Sequence, residues 1–159
     1  MDYTILRSTA FMEFWGAMFG GPVIAGGKPN IFGDGKNPVN FVSAEDVAQF
    51  VMVALQNARA CDQTIIVGGP ENLTLNEVVG IFEKVSGKTA KTSHMPVPVM
   101  RIMRAIMSMA NPSLAAQITG GLLMATTDQK IDMDATLKAY PVKLHTLEDI
   151  ARRMITASK

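Results

Sequence analysis

Along this 159-residue chain the period of the hydrophobic positions changes several times, and each change marks an element. Tyr3–Arg7 (YTILR) is a short β-prone run of the kind that is buried in a sheet. Phe11–Phe19 follows with helical spacing, and the glycines of GGPVIAGGKP are expected to stop that helix. IFGDGKNPVNFVS reads as a glycine-rich loop running into a short strand at Asn40–Val42. Ser43 then caps a helix whose apolar face is Val47, Phe50, Val51, Ala54 and Leu55, with Glu45 and Asp46 where the helix dipole favours anions. TIIVGGP is a second strand with a buried pattern. Thr74 and Glu77 stand in capping-box spacing ahead of apolar positions 75, 78, 79, 82 and 85, and Gly87 ends that helix. Ala90–Met95 reads as a third strand. Pro98 opens a helix with Met100, Met103 and Met107 on one face and Arg101 and Arg104 on another, Pro112 starts the next, and Thr146–Thr156 closes the chain. Strands alternating with helices in this way predict an α/β fold with parallel pairing, in one domain spanning 1–159.

Composition narrows the function classes. The formal net charge is +1, which gives no electrostatic footprint for nucleic acid. Hydrophobic residues make up 48% and charged residues 18%, against about 25% charged in typical domains. That balance fits either an apolar enzyme core or a chain whose surfaces are covered by a partner. The stretch 105–127 carries no charge, but Asn111-Pro112, Gln117 and Gly120-Gly121 interrupt it, so two packed helices are expected and no membrane span. Cys61 is the single cysteine; it is read as an inert thiol, and a reducing, cytoplasmic location is expected.

Several motifs fail on inspection. GGPVIAGGKP has the wrong spacing for a phosphate loop, and Pro29 stands where the hydroxyl belongs. GDGKNP supplies Gly33 and Gly35 but leads into a strand, and DMDATL lacks the turn glycine of a calcium loop. His94 and His145 lie far apart without clustered acids, so no metal site is assigned.

Three stretches together resemble a known family. YTILRSTAFMEF is similar to the sixth strand and following turn of atypical short-chain dehydrogenase/reductase proteins of the NmrA-like type. NFVSAEDVAQFVMVAL resembles the later strand and helix of that family, and TIIVGGPENLTLNEVVGIFEKVSGK its seventh strand and the helix after it. Their order and spacing match over most of residues 1–100. The resemblance implies a partial Rossmann-type parallel sheet, formed by the last two core strands, with substrate-side helices and small strands from about residue 88 onward. It also implies NAD(P) as the cofactor of the parent family. The family's Gly-x-x-Gly-x-x-Gly loop and its Tyr-x-x-x-Lys pair have no match here: the residues four after Tyr3 and Tyr140 are Arg7 and Leu144. The chain is therefore expected to be the C-terminal half of such a protein, binding no dinucleotide and catalysing nothing alone.

By the same resemblance Ser8, Thr9, Ala10 and Phe11 would lie beside a nicotinamide ring in a complete fold, with Ser8 where the family has proline. Met12, Trp15, Asn40, Phe41 and His94 are the candidate substrate-side residues, and no residue is assigned a catalytic role. Glu13 sits among apolar neighbours and is weighed as an acid/base against a solvated carboxylate. Asp46 and Glu77 have full explanations as helix-start residues. Met100, Met103, Met107 and Met109 suit an adaptable wall for a small apolar organic ligand, or equally an interface or core. Three functions follow: a substrate-side portion of an NAD(P)-dependent reductase, a non-catalytic nucleotide-sensing regulator, or a free-standing half-domain. An edge strand at Tyr3–Arg7 implies either a homo-oligomer or a missing N-terminal half as its partner.

Overall fold

The computed structural model describes residues 2–157. Strand β1 (Thr4–Ser8) lies parallel to β5 (Gln63–Val67), with Thr4 opposite Gln63 and Ser8 opposite Val67. The chain then changes partner at Thr9, and β2 (Ala10–Phe11) runs parallel to β4 (Pro38–Val42), which is itself antiparallel to β6 (Asn72–Thr74). A third small sheet pairs β3 (Asn30–Phe32) with β7 (Ser93–Met95). Six of the helices used below are α1 (Met12–Ile24), α2 (Ala44–Gln56), α3 (Leu75–Ser86), α4 (Val97–Ala110), α5 (Pro112–Thr126) and α6 (Asp134–Ala139), and α7 (Leu147–Ala157) follows them. The α/β class with parallel pairing is the one read from the pattern.

Two cores hold these elements. One gathers Met12, Phe19 and Val23 of α1, Leu75, Val78, Val79 and Phe82 of α3, and Leu147, Ile150 and Ala151 of α7. The other packs Phe50 of α2 against Ile65 and Val67 of β5, with Leu6 of β1 at its margin. Leu6, Ile65 and Val67 alternate with Ile5 and Ile66, which point to the opposite face and remain 49% and 46% exposed. Among the described residues β1 pairs with β5 alone, so its other edge is open.

The structure departs from the expected elements in α1. The helix does not stop at Gly20-Gly21 but continues through Pro22 to Ile24, and ends where Gly26 takes φ 75°. The glycine is there for packing. A Cβ on Gly20 would lie 2.4 Å from three ring atoms of Phe82, so its absence lets α3 close onto α1. The third strand is also shorter than expected, Ser93–Met95, and β2, β3, β6 and α6 carry too few residues for a periodicity to show.

The start of α3 forms as its sequence requires. Thr74 Oγ1 accepts from the Glu77 amide at 3.2 Å, while the Glu77 carboxylate accepts from the Thr74 amide and hydroxyl at 2.8 Å each. Those bonds, the backbone one foremost, hold the Glu77 carboxyl below its ordinary 4.5. A depressed carboxyl contributes stability above its unfolded value and loses it as pH falls through the folded one. Thr74→Ala is expected to cost about 1 kcal/mol. Glu77→Gln is expected to be less stable than the parent at pH 7, with the gap closing in urea melts below pH 4.5.

Candidate functional site

The C-terminal ends of the parallel pair β1 and β5 are where an open α/β sheet places its ligands. There the turn after β1 meets a clasp built on Asn40, which is 1% exposed. Asn40 Oδ1 accepts from the Gly69 amide at 2.8 Å and the Thr9 hydroxyl at 3.0 Å. Its Nδ2 donates to Gly69 O at 3.1 Å, Glu71 O at 3.3 Å and Asn72 Oδ1 at 3.1 Å. Asn72 in turn bonds the main chain of Ile131 in both directions. One buried amide thus ties the end of β1, the loop after β5, β6 and the segment after α5.

Beside this clasp is a cavity of about 510 Å³ lined by Ser8, Thr9, Ala10, Trp15, Asn40, Gly120, Leu123, Met124, Gln129 and Ile131. Trp15 and Gly120 also line a larger, apolar cavity of about 750 Å³ between α1, α4 and α5. Phe14, Met18, Phe32, Met95, Met100 and Met103 are among its apolar lining, with Lys28, Asn30, Ser113 and Gln117 as polar members. Both volumes lie within the range typical of small-molecule sites. Trp15 is fixed by aromatic packing: its ring stacks on Phe19 at 5.9 Å and meets Phe14 and Phe32 edge-on at 5.0 and 6.3 Å. α5 approaches closely because a Cβ on Gly121 would stand 2.9 Å from the Phe32 ring. Lys28 is the one ionisable side chain among the residues lining these two cavities. The lining is therefore mostly apolar, and among the described residues it holds no carboxylate, histidine or tyrosine to move a proton.

The candidates named from sequence distribute unevenly. Ser8, Thr9 and Ala10 come together with Trp15 and Asn40 around the smaller cavity. Phe11 sits at the start of α1 with its side chain exposed. Met12, at the start of α1, and Phe41, opposite Ala10 on β4, are fully buried in the first core and line neither cavity. His94 is exposed on β7 and lines a separate hollow with Gly33, Asp34 and Pro96. Of the methionines, Met100 and Met103 wall the larger cavity, while Met109 is 91% exposed. Leu123 and Met124 near the end of α5, and Gln129 and Ile131 in the segment after it, escaped the sequence reading, since no motif marks them.

Two acidic residues serve the scaffold. Glu13 caps α2, its Oε1 accepting from the Ser43 hydroxyl and the Ala44 amide at 3.0 Å each. Asp46, fully buried, accepts from the His145 amide at 2.9 Å and from its Nδ1 at 2.6 Å. A guanidinium nitrogen of Arg153 lies 2.9 Å from His145 Nε2. Arg153 also bonds Glu45 at 2.6 Å, which holds the Glu45 carboxyl below its ordinary value and raises the arginine above its own. The Asp–His pair has the look of a catalytic dyad, but its outward nitrogen is covered; it fastens α7 to the start of α2.

Comparison with known proteins agrees with this architecture. Phenylcoumaran benzylic ether reductase IRL1 from Ginkgo biloba is 31% identical over 100 residues, covering 60% of this chain and 33% of that protein. Photosystem II assembly factor Ycf39 from Synechocystis sp. is 29% identical over 105 residues, covering 65% and 32%. The chain thus spans about a third of the length of the curated relatives it matches. The solved binary complex of leucoanthocyanidin reductase with NADPH from Vitis vinifera superposes with a TM-score of 0.73 at 18% identity, covering 98% of this chain and 55% of that one. That likeness shows the Rossmann-type fold. The model of the NmrA-like family matches residues 8–151, which is most of the chain, and the chain belongs to that family.

Proposed function

We propose that this chain forms the substrate side of an NAD(P)-dependent reductase acting on a small, apolar, aromatic compound. The observation that carries the reading is the pair of neighbouring cavities that share Trp15 and Gly120, an apolar one walled by α1, α4 and α5 and a smaller one at the turn Ser8–Ala10. The residues present fit the ring end of a nicotinamide cofactor, with Ser8, Thr9 and Ala10 to hold it, and the ring, when bound, supplies hydride. They do not fit its pyrophosphate. A phosphate cradle needs glycines at a helix N-terminus, whereas Gly26 and Gly27 follow α1 and Gly33 and Gly35 lead into β4. The phosphate-binding half and any proton donor therefore come from outside these residues. The open edge of β1 and the uncovered Ile5 and Ile66 are where that half, or a second copy of the chain, would pair.

Trp15 is the only tryptophan and lines both cavities, so its fluorescence reports occupancy. Titration with diphenylmethane is expected to give a saturable change with a dissociation constant on the order of micromolar. Gly120→Phe should abolish that change with the fold intact, since a Cβ there meets nothing within 4 Å. NADPH added to the chain alone is expected to show no saturable binding, and the free chain should sediment as a dimer or larger. An unsaturable diphenylmethane response, or one unaltered in the variant, rejects the cavity reading; tight NADPH binding rejects the division of the site.

A further inference from the structure

We infer that Gln129 recognises the oxygen of the ligand: its side-chain amide donates to a carbonyl or ether oxygen on an otherwise apolar molecule. The inference rests on the cavity reading above and adds to it the polar feature the substrate must carry. The main chain of Gln129 is locked, its amide donating to Pro38 O at 2.8 Å and its carbonyl accepting from the Asn40 amide at 2.9 Å, in a bridge opposite Val39. Its side chain is not. Gln129 Nε2 is buried and, among the described residues, has no hydrogen-bond partner. Buried donors in folded proteins are almost always satisfied, and one left over calls for an explanation.

The surroundings supply one. Gln129 lines the smaller cavity, whose other amide, Asn40, has both its oxygen and its nitrogen committed within the clasp. The Thr9 hydroxyl is spent on Asn40. Ala10, Leu123, Met124 and Ile131 are apolar, and the other side-chain donors on the wall are the Ser8 hydroxyl and the Trp15 indole N–H. The one unspent amide donor on that wall therefore belongs to Gln129. The terminal torsion of glutamine is broad and soft, so a small rotation turns the N–H toward the cavity. A ligand with its oxygen here has its apolar body directed past Trp15 and Gly120 into the larger chamber.

Benzophenone and diphenylmethane differ by one carbonyl and test this directly. Followed through Trp15, the parent chain is expected to bind the ketone about three- to tenfold more tightly, the worth of one neutral hydrogen bond. Gln129→Met should erase that preference, so that the ratio of ketone to diphenylmethane affinity falls to about one whatever the variant does to either affinity alone. The variant should melt no lower than the parent, because it removes an orphaned donor; Gln129→Leu is the second variant if methionine packs poorly. Equal affinities in the parent, or a ketone preference that survives both variants, overturn the role of Gln129 and leave the cavity reading standing. Failure of both probes to bind overturns the cavity reading and this inference with it.

Discussion

Gly69→Ala is expected to destabilise the chain by at least about 3 kcal/mol, more than half of what a marginal domain possesses. A Cβ at this position would lie 1.8 Å from the carbonyl oxygen of Phe41 and 3.0 Å from its carbon. Neither atom can retreat. Phe41 stands opposite Ala10 in the β2–β4 pair, its side chain is locked in the core, and the Gly69 amide is held at 2.8 Å by Asn40. The clash is with backbone, so relief requires separating β4 from the end of β5. Gly80→Ala is the control: its Cβ meets nothing within 4 Å on an exposed position of α3. That change should stabilise by about 0.5–1 kcal/mol through helix propensity. Urea denaturation of both variants measures the contrast, and equal midpoints would contradict the close approach on which the clasp depends.

The same position shows what the sequence could and could not disclose. TIIVGGP announced a strand ended by glycines, which is local information. It did not say that the second glycine exists to admit a carbonyl from another strand, because that requires knowing what packs there. Gly20 and Gly21 misled for the same reason: locally a glycine pair ends a helix, yet Gly20 is a seat for Phe82. Features that follow from neighbours in the chain were legible. The Ser43 cap, the Thr74–Glu77 box and the αL Gly87 all formed as the spacing required. At the site, Ser8–Ala10 was legible through its resemblance to a family turn, and Met100 and Met103 through their helical face. Asn40 drew notice as a candidate pocket residue after the glycine-rich loop, and it is the centre of the clasp as well as part of a cavity wall. Gln129 gave no signal, since its interest lies in a missing partner, which no pattern of residue types encodes.

Asn40→Leu is expected to cost about 3–5 kcal/mol, because it keeps the branched shape but removes five side-chain hydrogen-bond contacts at once. The penalty comes mostly from what remains: the Gly69 amide, two carbonyls and the Thr9 hydroxyl are left to find partners away from water. Thr9→Val alone, removing one of those bonds, should cost about 1 kcal/mol. In the Asn40→Leu background it should cost close to nothing, and full additivity would show that Thr9 is held by something else. Asn40→Asp separates the two ends of the amide. The carboxylate still accepts from Gly69 and Thr9, but sets a negative oxygen against Gly69 O, Glu71 O and Asn72 Oδ1. Burial and those oxygens disfavour its charged form, so its folded pKa rises above the unfolded one. The deficit relative to the parent is then full at neutral pH and shrinks as pH falls and the carboxyl gains a proton to donate. A deficit independent of pH would mean that the nitrogen end of Asn40 donates to nothing. The hold that this residue has on Gly69 O, Glu71 O and Asn72, and so on the loop after β5, would then need another source.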